Sequence, residues 1–311
     1  MNTLIANAQH PHHFLHNILL LAIMQLASGT VVAASDATFE VETGTEYDSN
    51  LSIIELDQNS AENDWALVAN ARMNGQWQAN RHVKLKGGLS YNTKTWNDYS
   101  AYDLKIKQAF ADASYEFKPF TLGVSFHHAD AKLDDRDFLT LQQRSIYASR
   151  LVNQRFFLRA AVNHQNKDFP GSNIRNANNQ SMAGDMFVFF NQGKTFLTLG
   201  ISNEEERARA DQFDYDGINL RTSISHQFTA WNKPNRVQFG VRYDNRDYLS
   251  ITPELEKKRS DQRRIATLEW DVATSKWLSI TTKFERGNYA SNIDSADYAE
   301  TIGSVLLKAS F

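Results

Sequence analysis

The sequence predicts an all-β protein, a transmembrane antiparallel β-barrel of about fourteen strands preceded by a cleavable signal peptide. Three observations predict this fold class. Apolar and polar residues alternate from Ser35 onward, the breaks between the alternating runs are short and long in turn, and the last run ends on Phe311. The expected domains are a signal peptide over residues 1–34 and one barrel over residues 35–311.

The first segment has the composition of an export signal. Residues 14–27 are mostly apolar, and Val32, Ala33 and Ala34 place small residues where a signal peptidase cleaves. The residues ahead of the apolar stretch include histidines but no Lys or Arg. Because a spanning helix needs about 20 apolar residues, we expect cleavage after Ala34 rather than an uncleaved helix at the membrane surface.

The composition excludes several function classes. The 311-residue chain has no cysteine and a formal net charge of −3. Without cysteine there are no disulfides, thiolate metal sites or cysteine nucleophiles. Without an excess of Lys and Arg the chain lacks the electrostatic footprint of a nucleic-acid-binding protein. We therefore expect no nucleic-acid partner, no metal and no cofactor.

The first predicted strand shows the alternation clearly. Phe39 and Val41 occupy one face and Glu40 the other. Successive side chains of a strand point to opposite faces, so one face of this strand suits lipid and the other suits water. Comparable runs recur to the end of the chain, for example at residues 83–91 and 237–243.

The breaks between strands alternate in length, and this alternation predicts the topology. We expect tight turns near residues 80–81, 118–119, 153–154, 192–193, 232–235 and 275–276. We expect longer outer loops near residues 48–61, 97–102, 132–137, 169–179, 206–212, 250–259 and 290–298. Short periplasmic turns, longer outer loops and an even number of strands are typical of transmembrane barrels. Both termini then lie on the periplasmic side, and no outer loop is long enough to form a large plug.

A soluble β-sandwich or a lipocalin-like barrel is the competing fold. A soluble barrel buries its apolar face inward, and a small one closes with about eight strands. A sandwich has turns about every 8–12 residues, which is a closer spacing than the runs and loops of this chain show. The sequence therefore favours the membrane barrel.

The final predicted strand gives an independent indication. Gly303, Val305, Leu307 and Phe311 share one face, and polar side chains occupy most of the alternate positions. A terminal phenylalanine on an alternating last strand resembles the signal by which the assembly machinery recognises outer-membrane barrels. We therefore expect Gly303 and Phe311 to belong to an assembly signal.

The polar positions of the strands predict a charged lumen. The expected basic wall comprises Arg72, Lys84, Lys86, Arg144, Arg159, Arg221 and Arg242, with Lys167 on the same face. The expected acidic wall lies on the first strand and the last three, and comprises Glu40, Glu42, Glu46, Glu269, Asp271, Glu285 and Glu300. Because the first strand of a closed barrel pairs with the last, these acids are expected to face the basic wall. Two interpretations stay open: a transverse field that selects charged solutes, or opposite charges that pair and fill the lumen.

Aromatic residues near the predicted strand ends are typical of the girdles that anchor a barrel at the membrane interfaces. This set comprises Trp65, Trp77, Trp96, Trp231, Trp277, Tyr91 and Tyr289. Members that turn inward would instead suit stacking against sugars.

The pattern does not favour a catalytic site. Ser223 and Ser225 lie close to His226 along the chain, but the odd spacing places the histidine on the opposite face of a strand. A nucleophile and a base on opposite faces cannot meet. The acidic run at residues 134–137 would bind a cation or, more simply, be solvated. We therefore expect no enzymatic activity.

Both ends of the chain resemble a known family. Residues 44–51 read Gly-Thr-Glu-Tyr-Asp-Ser-Asn-Leu, and the ending reads Trp-Leu-Ser-Ile at 277–280 and Phe-Glu-Arg at 284–286 before the last strand. These stretches resemble the β-barrel porin-2 type of outer-membrane protein, and the ending is also similar to the barrel half of the surface lipoprotein assembly modifiers. The first resemblance implies passage of a glycan, since such proteins often accompany exopolysaccharide or capsule gene clusters. The second implies a part in lipoprotein assembly, and neither implies a catalytic residue.

The expected function is a porin-like channel in the outer membrane of a Gram-negative bacterium. It would pass small hydrophilic solutes, or a saccharide or exopolysaccharide chain, through a charged lumen. The expected partners are outer-membrane lipid, the barrel assembly machinery, and polysaccharide or export partners. The alternatives are a non-conducting barrel that assists assembly or secretion of a surface polymer or lipoprotein, and an outer-membrane lipid hydrolase.

Overall fold

The computed structural model describes residues 35–253 and 255–311. The predicted signal peptide over residues 1–34 lies outside the described residues, so its cleavage stays a prediction. Within the described ranges, no helix is both long enough and apolar enough to cross a membrane.

In the described part of the chain, fourteen long strands form one closed antiparallel barrel, as predicted. These wall strands are β1 (Ser35–Asp48), β4 (Asp64–Gln78), β5 (Val83–Trp96), β6 (Leu104–Glu116), β7 (Thr121–Leu133), β8 (Arg136–Val152), β9 (Phe156–Asp168), β10 (Ala177–Phe190), β11 (Thr195–Ala208), β12 (Tyr215–Ala230), β13 (Lys233–Thr252), β14 (Lys257–Ala273), β15 (Leu278–Ser291) and β16 (Tyr298–Ser310). Two short strands, β2 (Ser52–Ile53) and β3 (Gln58–Asn59), pair with each other between β1 and β4. Single 3-10 turns occur at Ile54–Leu56, Ser100–Tyr102, Asn173–Arg175, Asn191–Gly193, Asp211–Phe213 and Asp294–Ala296.

The first and last strands close the barrel. β1 pairs with β16, with Glu40 opposite Ser310, and its other edge pairs with β4. Phe311 continues this seam, because its backbone N–H donates to the carbonyl of Phe39 (2.9 Å) and its carbonyl accepts from the Phe39 N–H (3.0 Å). The predicted pairing of first strand with last is therefore confirmed, and both strand termini lie at the same end of the barrel.

The two ends of the barrel differ in their connections. At the turn end, where β1 begins and β16 finishes, strands are joined by residues 79–82, 117–120, 153–155, 191–194, 231–232 and 274–277. At the loop end they are joined by residues 49–63, 97–103, 134–135, 169–176, 209–214, 253–256 and 292–297. Five of these six connections fall where the sequence predicts turns; the turn predicted at 232–235 instead comprises residues 231–232, because β13 already begins at Lys233.

Two of the predicted outer loops are largely strand. In place of a loop over 132–137, β7 and β8 meet in a two-residue turn at Asp134 and Asp135, both left-handed (φ 49° and 59°), a conformation that suits the twist of a tight hairpin. In place of a loop over 250–259, β13 and β14 continue and only residues 253–256 connect them. The charged residues that suggested loops belong to strands that extend beyond the apolar band.

The outer face in the middle of the barrel is apolar, as the alternation predicts. Leu67, Leu89, Val162, Leu268 and Val305 are all exposed on it. Their neighbours along each strand face the interior, and half of these neighbours are polar. A continuous apolar band around a closed barrel is the surface that a lipid bilayer contacts.

The polarity of the two faces inverts toward the loop end. On β6, Leu104 and Ile106 are buried inside the barrel, whereas Lys105 and Lys107 lie on the outer face. β7 repeats the pattern, with Ala131 buried inside. An apolar interior beneath a polar exterior is how a soluble barrel is built. The loop end therefore has a small apolar core that the turn end lacks.

Candidate functional site

The structure places nearly all of the predicted lumen residues on the inward face of the wall. The predicted basic residues that lie on the inward face are Arg72, Lys84, Lys86, Arg159, Lys167, Arg221 and Arg242. The predicted acidic residues that lie on it are Glu40, Glu42, Glu46, Glu269, Asp271, Glu285 and Glu300. What these residues do to a solute stays a prediction.

The prediction that Arg144 faces the lumen is wrong. Arg144 is exposed and shares its face of β8 with Ile146, which is 67% exposed. Its partner across the β7–β8 ladder is Phe126, which also lies on the outer face, and the adjacent Ser145 is buried inside. The reason is the inversion of polarity, because Arg144 lies where the outer face changes from apolar to polar.

Several acids of the predicted acidic wall form ion pairs with cations that lie beside them. Glu42 lies 3.1 Å from the Nζ of Lys283. Lys283 is on β15, which is separated from β1 by β16. Glu46 pairs with Lys94 of β5, and Glu40 lies 3.6 Å from Arg72 on β4. The counter-charges therefore lie among the acids rather than across the lumen. These contacts match the alternative in which opposite charges pair and fill the interior.

Arg236 of β13 is the centre of the tightest such group. Its guanidinium contacts both Glu269 and Asp271 of β14, with Nε donating to Asp271 at 2.7 Å. Arg236 and Glu269 are both buried. Removing one partner from a buried group of this kind leaves an uncompensated charge, which costs about 3–5 kcal/mol.

The remaining acids of the predicted wall lie near the loop end. Glu300 accepts hydrogen bonds from the hydroxyls of Tyr289 (2.7 Å) and Ser52 (3.2 Å). Within the described residues Glu285 makes no ion pair within 4.0 Å. Arg242, predicted for the basic wall, lies 3.0 Å from Asp244 on its own strand.

The connection between β1 and β4, residues 49–63, folds into the mouth of the barrel at the loop end, and we call it the inner loop. Leu51 is fully buried against inward side chains that include Trp96. Ile53 joins the apolar cluster of β6–β8, and Ile54 packs on Ile265 on the far side of the mouth. The inner loop therefore spans the mouth from one wall to the opposite one.

Charged contacts hold the tip of the inner loop. Asp57 lies 2.7 Å from Arg259 of β14 and 2.8 Å from Arg175 of the β9–β10 connection. Burial alone would raise the pKa of Asp57, but the hydrogen bonds and charges of Arg259 and Arg175 outweigh it and lower the pKa from 3.8 to about 2. Asp57 therefore stays charged, and the tip stays anchored, across the ordinary pH range.

Further contacts leave little space around the inner loop. Asn59 donates through its side-chain amide to the carbonyl of Ser295 in the β15–β16 connection (2.7 Å). A space of about 60 Å³ remains between the inner loop and the wall, with Asp48, Lys94 and Glu300 in its lining. The inner loop is therefore the main constriction at this side of the mouth.

Stacked arginine and tyrosine side chains fill the other side of the mouth. Arg246 lies over the ring of Tyr215 and Arg259 over the ring of Tyr248, each 4.6 Å from the ring centroid. The rings of the two tyrosines contact each other at a tilt of 51°, with their centroids 5.5 Å apart. Such cation–π contacts are worth most when the cation is desolvated, as here. The loop end of the lumen is therefore closely packed on both sides.

The inner loop folds inward as a small plug, which goes beyond the prediction, since that prediction concerned only a large plug. Two signals in the sequence point to it. Leu51, Ile53, Ile54 and Leu56 make the connection apolar, which is unusual for an outer loop exposed to water. The inverted polarity of the strand ends, such as Leu104 to Lys107, provides the matching apolar surface.

The turn half of the lumen is lined differently. Its inward side chains on β4 to β9 are mostly amides, hydroxyls and cations that are half-buried rather than buried. The amides from the middle of these strands to the turn end are Asn74, Gln76, Gln78, Gln108, Gln143 and Asn163. Half-buried polar side chains on an inward face are accessible to solvent inside the barrel. This half is therefore the part of the lumen suited to carry a hydrated solute.

Glycines make room for two of the bulky groups in this half. A Cβ at Gly123 would collide with the ring of Tyr147, so only glycine admits that ring. A Cβ at Gly200 would lie 2.5 Å from the Nε of Arg221 and 2.9 Å from Asp185 Oδ1. These two glycines determine where Tyr147 and Arg221 lie in the lumen.

The aromatic residues divide between the two faces. Trp65, Trp77, Tyr91, Trp231 and Trp277 are exposed on the outer surface, as expected for girdles. Trp96 and Tyr289 do not belong to this set, because both are buried inside at the loop end. Their inward direction follows from the strand alternation, since Trp96 shares a face with Lys94 and Tyr289 with Glu285.

The predicted assembly-signal residues lie on the outer face of the seam. Phe311 is 62% exposed and stacks between Phe39 (6.3 Å) and Trp277 (6.0 Å). Gly303 lies opposite Tyr47 of β1, on the same face as Phe311. Their recognition by assembly machinery stays a prediction.

The candidate catalytic residues do not come together. Ser225 is fully buried inside the barrel, whereas His226 lies on the outer face and contacts the hydroxyl of Thr195 (2.8 Å). In the acidic run, Asp135 pairs with Lys105 (2.5 Å) and Asp137 with Lys132 (3.3 Å). Among the described residues no group of three or more His, Cys, Asp and Glu side chains is arranged to hold a metal ion.

The comparisons with known proteins agree with this architecture. No family model and no curated protein matches the sequence. The anion-selective porin from Comamonas acidovorans matches in structure with a TM-score of 0.53 at 8% identity, over 90% of this chain and 100% of that one. OmpT, an outer membrane protein of Vibrio cholerae in its trimer form, matches with a TM-score of 0.54 at 8% identity, over 89% and 100%. The chain therefore has the fold of porin-like outer-membrane barrels, which confirms the predicted resemblance at the level of fold.

Proposed function

We propose that the chain is a channel through which small hydrophilic solutes cross the outer membrane of a Gram-negative bacterium. The observation that carries the proposal is the half-buried amide and cationic lining of the turn half, inside a closed barrel with an apolar exterior. Such a lining exchanges hydrogen bonds with a passing solute and its water without binding either tightly. The apolar band would contact lipid, and the barrel assembly machinery would be the partner during insertion.

The inner loop sets the size limit in this proposal. Because it spans the mouth and packs on opposite walls, a solute must pass beside it. Small molecules suit such a constriction better than a saccharide chain, which would require the inner loop to move aside. Passage is then passive, with selection by size at the mouth and by polarity along the turn half.

Swelling of proteoliposomes in neutral sugars tests this proposal. With the refolded protein we expect swelling in a pentose such as arabinose, and much slower swelling in a tetrasaccharide. Liposomes that contain the boiled, unfolded protein serve as the control. Equal and negligible swelling in every sugar would contradict passage of small solutes.

A second candidate is a non-conducting barrel that assists assembly or secretion at the cell surface. The packed loop end favours it, since the inner loop and the stacked arginines leave little space there. A variant in which a Gly-Ser-Gly linker replaces residues 52–60 distinguishes the two. Swelling by the wild type supports the channel, whereas an impermeable wild type with a permeable variant supports a barrel closed by its inner loop.

A further inference from the structure

In the turn half, cations and acids differ in how far their side chains are exposed. Arg159 and Arg221 approach the same carboxylate, Asp185, with Arg159 3.8 Å from it and Arg221 hydrogen-bonded to it. The Arg221 side chain is 44% exposed and that of Arg159 27%, whereas that of Asp185 is only 6% exposed. Two cations thus share one buried acid, and the face that meets water carries the excess positive charge.

Two lysines of β5 add to this surface. Lys84 and Lys86 are half-buried on the inward face, and among the described residues neither makes an ion pair within 4.0 Å. Asp112 lies opposite Lys86 in the β5–β6 ladder, but it is buried and accepts a hydrogen bond from the Tyr147 hydroxyl at 2.9 Å. Both lysines are therefore partly exposed on the inward face without an ion pair of their own.

Away from the rim of the turn end, the acids of this half are less exposed than its cations. Glu269 and Glu42 are buried and already paired with Arg236 and Lys283. Glu40 is partly exposed and lies beside Arg72. The exposed inward acids are Asp36 and Glu116, at the rim where β1 begins and β6 finishes. Acids and cations are therefore both numerous in the lumen as a whole, but inside that rim the exposed charges of this half are mainly cations.

We propose that the turn half of the lumen is an anion-attracting vestibule formed by Lys84, Lys86, Arg159 and Arg221. Solutes that carry a carboxylate, phosphate or sulfate group would enter it in preference to cations. A charged surface inside a low-dielectric wall focuses its field into the lumen and raises the local concentration of counter-ions. This inference rests on the proposed channel function and names the solute class of the same site.

Reversal potentials across a planar bilayer with a KCl gradient test the inference. The wild type is compared with K84E/K86E, which reverses two lumen charges, and with K194E/K276E, which makes the same charge change in exposed turn-end connections. We expect the wild type to prefer chloride, K84E/K86E to lower the chloride-to-potassium permeability ratio by about twofold or more, and K194E/K276E to match the wild type. Heat-modified migration on a gel verifies that each variant has folded.

The outcomes separate this inference from the proposed function. Swelling in neutral sugars together with no chloride preference, or equal shifts in the two double variants, overturns the vestibule and leaves the channel in place. A shift confined to K84E/K86E supports the vestibule. A folded barrel that neither swells liposomes nor conducts overturns the channel and, with it, the vestibule.

Discussion

The loop half and the turn half of this barrel are formed by the same strands yet have opposite interiors. At the loop end apolar side chains such as Leu104 and Ile265 face inward and the inner loop packs on them. At the turn end amides and cations face inward and remain partly exposed to solvent. The difference teaches that strand alternation specifies which face a residue occupies. It does not specify the polarity of that face, which changes between the turn end and the loop end of the same strand.

The largest effect is expected from the inner loop. Replacement of residues 52–60 with Gly-Ser-Gly removes the apolar anchor Ile53 and the charged anchor Asp57, so single-channel conductance should rise by about twofold or more. Insertion of Gly-Ser between Asp134 and Asp135, in another loop-end connection, is the matched control. Unchanged conductance in the shortened variant would show that the inner loop is not the constriction.

The next effect concerns the free energy of unfolding. It compares Arg236, a cation in buried ion pairs, with Lys86, a partly exposed cation. R236Q removes the cation that neutralises two acids of β14, Glu269 and Asp271. Because these acids would then lack a counter-charge, the free energy of unfolding should fall by about 3 kcal/mol or more. K86Q removes a lysine that makes no ion pair within 4.0 Å among the described residues, and should change the free energy by less than about 1 kcal/mol. Urea titrations of both variants in lipid vesicles measure this difference. Equal losses would mean that the two halves do not differ in how their charges are held.

A smaller effect is expected at the tip of the inner loop and depends on pH. The pKa of Asp57 is lowered from 3.8 to about 2, so its contribution to stability is present above pH 3.8 and is lost as the pH falls through about 2. The shift corresponds to about 2 kcal/mol.

The free energy of unfolding of D57N, measured against the wild type from pH 7 to pH 2, checks this expectation. The deficit of D57N should be constant down to about pH 4 and shrink between pH 4 and pH 2. A deficit that disappears already between pH 7 and pH 5 would contradict the anchoring of Asp57 by Arg259 and Arg175.

The smallest effect is expected at Arg144. Because Arg144 is exposed on the outer face, R144Q should leave ion selectivity unchanged and alter stability by no more than about 0.5 kcal/mol. R72Q changes an inward cation of similar size and is the companion measurement. Reversal potentials that shift more with R144Q than with R72Q would contradict the assignment of faces.

Much of the fold could be predicted from the sequence because its cause is local. The period of two and the alternating connection lengths are visible in short stretches of the chain. The seam between the first strand, which contains Glu40, and the last, which leads to Phe311, follows because a closed barrel must pair its end strands. The apolar residues of the inner loop signal that it is buried, but its position is not predictable from them, because it depends on Ile53 meeting side chains of β6 to β8. The inward face predicted for Arg144 is wrong, because a charge indicates the inward face only where the outer face is apolar, and the outer face of β8 becomes polar at this residue.

The candidate site could be predicted only in part for the same reason. Alternation identifies most inward charges, but the partner of each charge depends on lengths and directions of side chains across strands. Arg236 and Lys283 were not among the predicted residues, although they neutralise Glu269 and Glu42. Glu42 and Lys283 lie two strands apart in the barrel, so the sequence of neither strand alone predicts that they form an ion pair.

Single-channel recording of the folded wild-type protein in a planar bilayer tests the central claim most directly. The account predicts stepwise, long-lived openings, with larger steps when the inner loop is shortened at residues 52–60. Silence in both the wild type and the shortened variant, from protein that shows heat-modified migration on a gel, would contradict a water-filled turn half and the channel built on it.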